Sequence, residues 1–425
     1  MTHAGLAAEM LKAAGAAVGD TISVQRGDET HTGVLMPRDE AIVTLKLPSG
    51  YNIGIRVTKD CALSLVSKKE VKDHVRKAMP RGDGKKDVAV ISTGGTIASY
   101  VDYRTGAVHP AKSAEELIFS VPELMDLCNV RAKVLYSILS ENMTVAHWQG
   151  LARAVAEELN SGATGVIVPH GTDTMGFTSA ALSFMLKNLT GPVVCVGSQR
   201  SSDRPSSDAT TNLLAATRLC VGSDLGEVVV VMHGEPSDTY CSVHRGTKAR
   251  KMHSSRRDAF ASMNIHPIGR VEGSSVKLNG HYVKRSAGPV EVRDKIDGRV
   301  SLQYFYPGFE EDHFDMIASH VKGVVVAGTG LGHVSDPIIS SIRKAVRNGV
   351  HVVVTTQCLQ GSVNLNVYST GRDMVAAGAL PVGDMLPETA YVKLMWAMGQ
   401  TDDYAEVNKI MLTNIAGELT KGREL

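Results

Sequence analysis

The sequence predicts an α/β protein with two α/β domains built on parallel sheets, preceded by a small N-terminal β-barrel domain. The first observation is an alternation of apolar runs and helical stretches from residue 87 onward. Such runs are typical of strands that are buried on both faces of a parallel sheet. The second is a series of short β-rich segments between about residues 19 and 57. The third is a length of 425 residues, which is too long for a single hydrophobic core.

These changes of pattern divide the chain into three predicted domains. The β-barrel-like domain covers 1–80, the larger α/β domain 88–275 and the smaller α/β domain 300–425. Between the first two, residues 67–87 are highly charged and end in Pro, Gly and Lys. This composition predicts a short helix followed by an exposed linker near 80–86.

The larger α/β domain contains four predicted strands, DVAVIS, GVIVP, PVVCVG and EVVVVM. Helices are predicted between them, over 146–159 and 209–220. Thr144 is the expected N-cap of the first of these helices. Ligands of such a sheet are expected at the carboxyl ends of its strands.

The smaller α/β domain repeats the pattern with the strands GVVVAG and HVVVTT. Asp336 is predicted to cap the helix between them, with Pro337 at its first position. Two further helices are predicted at about 387–398 and 402–416.

Composition excludes several classes of protein. Apolar residues make up 43% and charged residues 21% of the chain, and 45 Lys and Arg balance 44 Asp and Glu. This balance gives no argument for nucleic-acid binding through the whole surface. No apolar run is long enough to span a bilayer, and residues 1–20 lack the apolar core of a secretory signal. The six cysteines form no CxxC pair, so we expect a cytoplasmic protein with no membrane association and no bound metal.

The string STGGTIAS at 92–99 is the first candidate site, because it directly follows a predicted buried strand. Gly94 and Gly95 allow a tight bend and can present backbone N–H groups to a ligand. Thr96 follows them with an accessible hydroxyl. The alternative is a strand-to-helix turn in which the Thr is only a cap.

The string PHGTDTM at 169–175 is a second such turn, after GVIVP. It places Thr172 and Asp173 at the end of a neighbouring strand, although a Thr–Asp pair can also be a helix cap. Lys251 lies in RGTKARKMHSSRRDAF. A Lys drawn towards Thr172 could accept the proton of its hydroxyl, whereas the alternative is a solvated basic segment.

A third candidate is the string SENM at 140–143, after the apolar run AKVLYSILS. Ser140 and Glu141 could cap a helix, or they could bind the carboxylate and ammonium of an amino acid. The stretch GSQRSSDRPSSD at 197–208 suggests by itself only a surface loop. GxSxG, HExxH and GxxxxGK[ST] are all absent.

Together these strings resemble the bacterial-type L-asparaginase family of amidohydrolases. The resemblance runs from about residue 88 to the C-terminus and includes TGGTIAS, HGTDTM, the segment around Lys251, GTGLGHV and GRDMVAAG. It implies an asparaginase-like two-domain core whose active sites are completed across a homodimer.

Specific roles follow from this resemblance. It implies that Thr96 is a nucleophile accompanied by Tyr103, and that Thr172, Asp173 and Lys251 form a second catalytic set. It also implies that Ser140 and Glu141 anchor the substrate. Two further residues of these turns, Gly95 and Ser198, are predicted substrate contacts.

The N-terminal extension is not part of a plain asparaginase. Together with QRSSDRPSSDATTNLL, it resembles the asparaginase-like subunit of archaeal Glu-tRNA(Gln) amidotransferases. That resemblance implies hydrolysis of glutamine and transfer of the ammonia to a partner, the E subunit of the amidotransferase. It implies that ATP and Mg are used at the partner, which also makes most contacts to tRNA(Gln), within a heterotetramer that contains a homodimer of this chain.

The hypothesis is therefore a glutaminase subunit that supplies ammonia for converting Glu-tRNA(Gln) to Gln-tRNA(Gln). Two alternatives stay open at this point. One is a stand-alone L-asparaginase with the same chemistry, and the other is a binding protein with an inactive core.

Overall fold

The computed structural model of the chain describes residues 5–36, 42–47, 52–68, 81–95, 99–101, 108–110, 121–200 and 206–420. At 99–101 and 108–110 it describes the backbone only. The predicted charged helix lies mostly outside the described residues.

The N-terminal domain is a helix and a five-stranded antiparallel sheet. Its elements are α1 (Gly5–Ala13), β1 (Thr21–Arg26), β2 (Glu29–Met36), β3 (Ile42–Lys46), β4 (Asn52–Arg56) and β5 (Ala62–Ser67). The strand order is β4-β3-β2-β1-β5. Alternating side chains such as Ile22 and Val24 pack with Leu35, Val43 and Leu45 in a small core. The predicted small β domain is confirmed, but no pairing within the described residues closes it into a barrel.

The larger α/β domain is built on an eight-stranded mixed sheet. Its strands are β6 (Asp87–Gly94), β9 (Asn129–Ile138), β10 (Gly165–Pro169), β12 (Val193–Val196), β13 (Val228–His233), β14 (Cys241–Arg245), β17 (Gly269–Glu272) and β18 (Ser275–Leu278). The order is β18-β17-β14-β13-β12-β10-β6-β9. The four predicted strands are neighbours and parallel, as predicted. The antiparallel strands β14, β17 and β18, which extend the sheet at one edge, were not predicted.

Three two-stranded antiparallel pairs accompany this sheet. They are β7 (Ser99–Val101) with β8 (Val108–Pro110), β11 (Leu186–Lys187) with β19 (Glu291–Val292), and β15 (Ala249–Lys251) with β16 (Phe260–Ser262). The last pair carries Lys251, so it belongs to the candidate site.

Helices cover both faces of the large sheet. They are α2 (Leu124–Leu127), α3 (Val145–Asn160), α4 (Met175–Met185) and α5 (Ala209–Gly222). Thr144 is the N-cap of α3, as predicted. The helices α3 and α4 pack on one face with Val166 and Val168, whereas α2 and α5 pack on the other with Ile167 and Val194. Alternate residues of one strand thus enter two different cores, which explains the continuous apolar runs.

The smaller α/β domain has a four-stranded parallel sheet of β20 (Val300–Tyr304), β21 (Gly323–Gly328), β22 (His351–Thr356) and β23 (Leu380–Pro381). Its helices are α6 (Glu311–His320), α7 (Asp336–Arg347), α8 (Ser369–Ala376), α9 (Pro387–Gln400) and α10 (Tyr404–Leu412). The helix α9 joins the two domains, because its Trp396 stacks on Phe184 of α4. The predicted α/β architecture is therefore confirmed.

Two details of the smaller domain differ from the predictions. Ser335, not Asp336, is the N-cap of α7, and Asp336 is the first helical residue. At that position its carboxylate still interacts favourably with the positive end of the helix dipole. The last helix is shorter than predicted and ends at Leu412.

None of the helices in the described ranges is long and apolar enough to cross a bilayer. The same residues contain no group of His, Cys, Asp or Glu arranged to hold a metal ion. All six cysteines are free, and only Cys358 is exposed. Burial raises the pKa of the Cys195 thiol to about 12, as befits an inert core cysteine.

A buried ion pair holds the C-terminal segment against α9. Lys393 Nζ lies 2.5 Å from Glu418 Oε1, and both side chains are fully buried. The Lys393 ammonium also donates to the carbonyl oxygens of Met411 and Thr413. Burial lowers the pKa of Lys393, and the Glu418 charge offsets part of that shift.

The variant Glu418→Gln should lower the free energy of unfolding by about 3–5 kcal/mol, because it leaves the Lys393 charge buried without its partner. Urea denaturation measures the change. The double variant Lys393→Met with Glu418→Gln is the control and should recover at least half of the loss. A single variant as stable as the wild type would show that the pair contributes nothing.

Candidate active site

Two glycines bring the first two Gly/Thr turns together at the carboxyl edge of the large sheet. Gly94 and Gly95 follow the buried part of β6 with φ angles of 107° and 84°, a region that favours glycine. A Cβ atom on Gly95 would lie 2.3 Å from the Gly171 nitrogen. The backbones of the two turns are therefore in contact, and no other residue type fits between them.

The third segment, around Ser140, packs on the same turn. It forms a 3-10 turn over Ser140–Asn142 after β9. A Cβ atom on Gly171 would lie 2.6 Å from Ser140 Cβ and 2.7 Å from Ser140 Oγ. Thr174 Oγ1 donates to the Ser140 carbonyl oxygen over 2.7 Å. Three segments that are distant in sequence thus meet at one edge of the sheet.

A hydroxyl, an amine and a carboxylate make direct contact at this edge. Lys251 Nζ lies 2.8 Å from Thr172 Oγ1 and 2.7 Å from Asp173 Oδ1. Thr172 is 6% exposed, and the side chains of Lys251 and Asp173 are 14% and 69% exposed. The shielded amine therefore bridges a buried hydroxyl and a solvent-facing carboxylate.

The other predicted contacts lie around this trio. Gly197 follows β12, and a Cβ atom there would be 2.7 Å from Thr172 Cγ2. The next residue, Ser198, is 1% exposed, and its hydroxyl has no partner among the described residues. Glu141 is exposed beside the buried Ser140. A hydroxyl without a partner in the described part of the chain and an exposed carboxylate suit the polar ends of an amino-acid substrate.

The structure does not describe two of the predicted residues. Thr96 directly follows Gly95 in sequence, but both Thr96 and Tyr103 lie outside the described residues. Their roles stay predictions.

The sequence reasoning missed the residues that brace the turn after β12. Asp208 is fully buried and accepts hydrogen bonds from the backbone N–H groups of Gln199 and Arg200. Asn212 Nδ2 donates to the Gly197 carbonyl oxygen and to Asp208. Since Asp208 directly precedes α5, its only sequence signal was that of an ordinary helix cap.

His170 is a second residue that the sequence reasoning did not assign. It is fully buried, and its ring contacts Gly171 and Thr178. Burial lowers its pKa to about 4, and burial lowers that of His244 to about 4 as well. The only sequence signal of His170 was its place two residues before Thr172.

Fold and turns together are those of an asparaginase-type α/β core. Residues 87–284 match the family model of the asparaginase N-terminal domain, and 299–411 match that of the glutaminase/asparaginase C-terminal domain. The thermostable L-asparaginase from Thermococcus kodakarensis superimposes with a TM-score of 0.73 at 32% identity, covering 79% of this chain and 100% of that chain. L-asparaginase I from Vibrio cholerae gives a TM-score of 0.69 at 28% identity, covering 80% of this chain and 100% of that chain.

Other relatives match nearly the whole chain. Residues 16–66 match the model of the GatD N-terminal domain. The D subunit of the Glu-tRNA(Gln) amidotransferase of Thermococcus kodakarensis is 52% identical, covering 97% of this chain and 96% of that protein. The D subunit from Metallosphaera sedula is 49% identical, covering 98% of this chain and 95% of that protein. The chain belongs to the family of Glu-tRNA(Gln) amidotransferase D subunits, as its sequence motifs indicated.

The lowered pKa values of His170 and His244 predict that the protein loses stability in acid. Their folded pKa values lie below the usual value of about 6.5, so the unfolded chain takes up protons first as the pH falls. The contribution of these histidines to the free energy of unfolding is fully present above about pH 6.5. It is lost as the pH falls towards 4, by about 3 kcal/mol for each histidine. Urea denaturation from pH 7 to pH 4 measures this loss.

The variant His170→Asn isolates the contribution of one histidine. Its stability should fall less between pH 7 and pH 4 than that of the wild type, by about 3 kcal/mol. An identical pH dependence in the two proteins would contradict the assignment.

Proposed function

We propose that this chain is the glutaminase subunit of a Glu-tRNA(Gln) amidotransferase. The observation that carries the proposal is the contact of Lys251 Nζ with both Thr172 Oγ1 and Asp173 Oδ1. Amide hydrolysis needs a nucleophile, a proton acceptor and donors for the oxyanion, and this edge of the sheet offers all three. The full-length relatives named as amidotransferase subunits support the choice of glutamine.

The proposed reaction passes through an acyl-enzyme. The hydroxyl of a threonine, Thr96 or Thr172, attacks the side-chain amide carbon of glutamine and passes its proton to a base. The tetrahedral intermediate then collapses, the C–N bond breaks and ammonia leaves with a proton. Water attacks the resulting ester, which releases glutamate and restores the hydroxyl. Lys251 and Tyr103 are the proposed proton carriers, and a neutral Lys251 amine can take the proton of Thr172 directly over 2.8 Å.

Asp173 has an electrostatic role in this scheme. When Lys251 carries the proton, its ammonium lies 2.7 Å from the Asp173 carboxylate. An opposite charge at that distance stabilises the protonated amine and so favours the transfer. The side chain of Lys251 is only 14% exposed, which limits the screening of this attraction by water.

Substrate anchoring is assigned to residues around the trio. We assign the α-carboxylate and α-ammonium of glutamine to Ser140 and Glu141, and further contacts to Gly95 and Ser198. The unpartnered Ser198 hydroxyl supports this assignment, because a buried polar group without a partner is costly unless a ligand supplies one.

The ammonia is proposed to pass to the E subunit of the amidotransferase as partner. That protein would bind ATP and Mg and make most contacts to tRNA(Gln), and a homodimer of this chain would form part of a heterotetramer. Membership in an amidotransferase subunit family supports a partner complex. No step within this chain requires the nucleotide or the metal.

A stand-alone L-asparaginase is the second candidate. The two superimposed L-asparaginases support it, because the core chemistry is the same. The match of residues 16–66 to the GatD N-terminal domain favours the amidotransferase subunit instead.

The variants Thr96→Val, Thr172→Val, Asp173→Asn and Lys251→Met should each reduce ammonia release from glutamine by at least about 10³-fold while the fold is retained. Val keeps the shape of Thr but lacks the hydroxyl. Enzyme-coupled detection of ammonia measures the rate, and circular dichroism checks the fold. Thr239→Val and Lys409→Met, both at exposed positions outside the site, are the matched controls. Full activity of both Thr96→Val and Thr172→Val would refute the proposal.

Comparison of the two amides separates the candidates. The purified chain should hydrolyse glutamine weakly when alone, and a co-expressed E subunit with Glu-tRNA(Gln) should stimulate it by at least about tenfold, because a chain that supplies ammonia to a partner is expected to be active only within its complex. Initial rates with glutamine and asparagine, with and without these additions, provide the measurement. Fast asparagine hydrolysis by the isolated chain, unaffected by the partner, would establish the alternative.

A further inference from the structure

A buried chain of hydrogen bonds ends on the peptide group that precedes Thr172. Trp148 Nε1 of α3 donates to Thr178 Oγ1 of α4 over 3.0 Å. Thr178 Oγ1 lies 2.8 Å from His170 Nε2, and His170 Nδ1 lies 2.7 Å from the Gly171 carbonyl oxygen. The side chains of His170 and Thr178 are fully buried. This chain of hydrogen bonds therefore links two helices to the turn that carries the candidate nucleophile.

The partners decide the direction of every bond in this chain. The indole N–H of Trp148 can only donate, so the Thr178 oxygen accepts it. The Gly171 carbonyl oxygen can also only accept, so the ring proton of His170 is on Nδ1. In the neutral ring Nε2 is then unprotonated, and it accepts the hydroxyl hydrogen of Thr178. Burial lowers the pKa of His170 to about 4, which keeps this neutral form at neutral pH.

This arrangement orients the N–H group of Thr172. The chain contains no cis peptide bond among its described residues, and in a trans peptide the C=O and N–H groups point in opposite directions. The Gly171 oxygen and the Thr172 N–H belong to the same peptide group. The hydrogen bond from His170 to this oxygen therefore fixes the Thr172 N–H in a direction that points away from the histidine. Within the described residues nothing accepts a hydrogen bond from this N–H, although Thr172 is 6% exposed. Orphaned buried N–H groups are rare, so a ligand is the expected acceptor.

We propose that His170 is a positioning residue that directs the Thr172 N–H to the oxyanion formed during amide hydrolysis. His170 acts through the Gly171–Thr172 peptide and does not touch the substrate. Thr178 and Trp148 hold its ring in the required tautomer. This inference rests on the proposed function, since it assumes an oxyanion at this site, but it assigns a role to three residues outside the Thr–Lys–Asp trio.

The variants His170→Asn and His170→Leu form a matched pair. In Asn, Nδ2 occupies the same place along the side chain as Nδ1 of His, so it can still donate to the Gly171 oxygen. Leu has nearly the same shape as Asn but no donor. Both variants remove the imidazole ring and its bond from Thr178, so the packing defect is common to both.

Steady-state hydrolysis of glutamine by the full-length chain, in complex with its partner, provides the readout. His170→Leu should lower kcat by about 10- to 100-fold with KM within about threefold of the wild type, because an oxyanion donor acts mainly in the transition state. His170→Asn should keep kcat within about fivefold of the wild type. Equal losses of kcat in both variants, a wild-type kcat in His170→Leu or an effect confined to KM would overturn the proposal.

Two further comparisons keep the test decisive. If His170→Leu does not fold, the variants Thr178→Val and Thr178→Ser replace it. Thr178→Val should lower kcat about fivefold and Thr178→Ser should leave it unchanged, since only Ser keeps the hydroxyl. An unchanged kcat in Thr178→Val would then overturn the proposal. The variants Thr96→Val and Thr172→Val separate the two levels of the argument. Full activity of both would defeat the proposed function itself, whereas a loss of activity in either beside a fully active His170→Leu would defeat only the role of His170.

Discussion

The site depends on the close approach of backbones at the carboxyl edge of the large sheet. Gly95 lies against Gly171, Gly171 lies against Ser140, and Gly197 lies against Thr172. A Cβ atom on Gly95, Gly171 or Gly197 would come within 2.7 Å of an atom of the residue it faces. Real Cβ contacts are not this short, so the absence of side chains sets the distance between the turns. The glycines are thus spacers, and the hydroxyls beside them are held close to one another because of them.

The smaller domain supports the site by holding the strand that carries Lys251. Just before this strand, Thr247 Oγ1 donates to the Ala416 carbonyl oxygen, and the buried Lys248 ammonium lies 2.6 Å from Asp384 Oδ2. Within β15, the side chain of Arg250 pairs with Glu388 at the start of α9. These three anchors therefore fix β15 on the smaller domain, and Lys251 extends from that strand to Thr172. The position of Lys251 in the larger domain therefore depends on contacts with the smaller domain.

Much of the fold could be predicted, because buried parallel strands leave continuous apolar runs such as GVIVP and VVVV. The resemblance to the asparaginase family also implied that Lys251 belongs with Thr172, although 79 residues separate the two along the chain. The antiparallel strands β14, β17 and β18 were not predicted, because short strands at the edge of a sheet leave only a weak hydrophobic pattern in the sequence. Asp208 and His170 were not assigned for another reason. Each makes hydrogen bonds to the backbone of a turn, Asp208 to Gln199 and Arg200 and His170 to Gly171, and such bonds leave no periodicity in the sequence.

The geometry of the trio does not by itself separate an asparaginase from a glutaminase subunit, since both amides need the same hydroxyl, base and oxyanion donors. Discrimination must come from what surrounds the trio. Glutamine is one methylene longer than asparagine, and one methylene in a pocket changes the transition-state energy by only about 1–3 kcal/mol. A protein that must hydrolyse glutamine only when ammonia is needed therefore gains more from control by a partner than from the shape of its pocket. The N-terminal domain, which the GatD model matches, lies outside the residues that match the two asparaginase-type domain models.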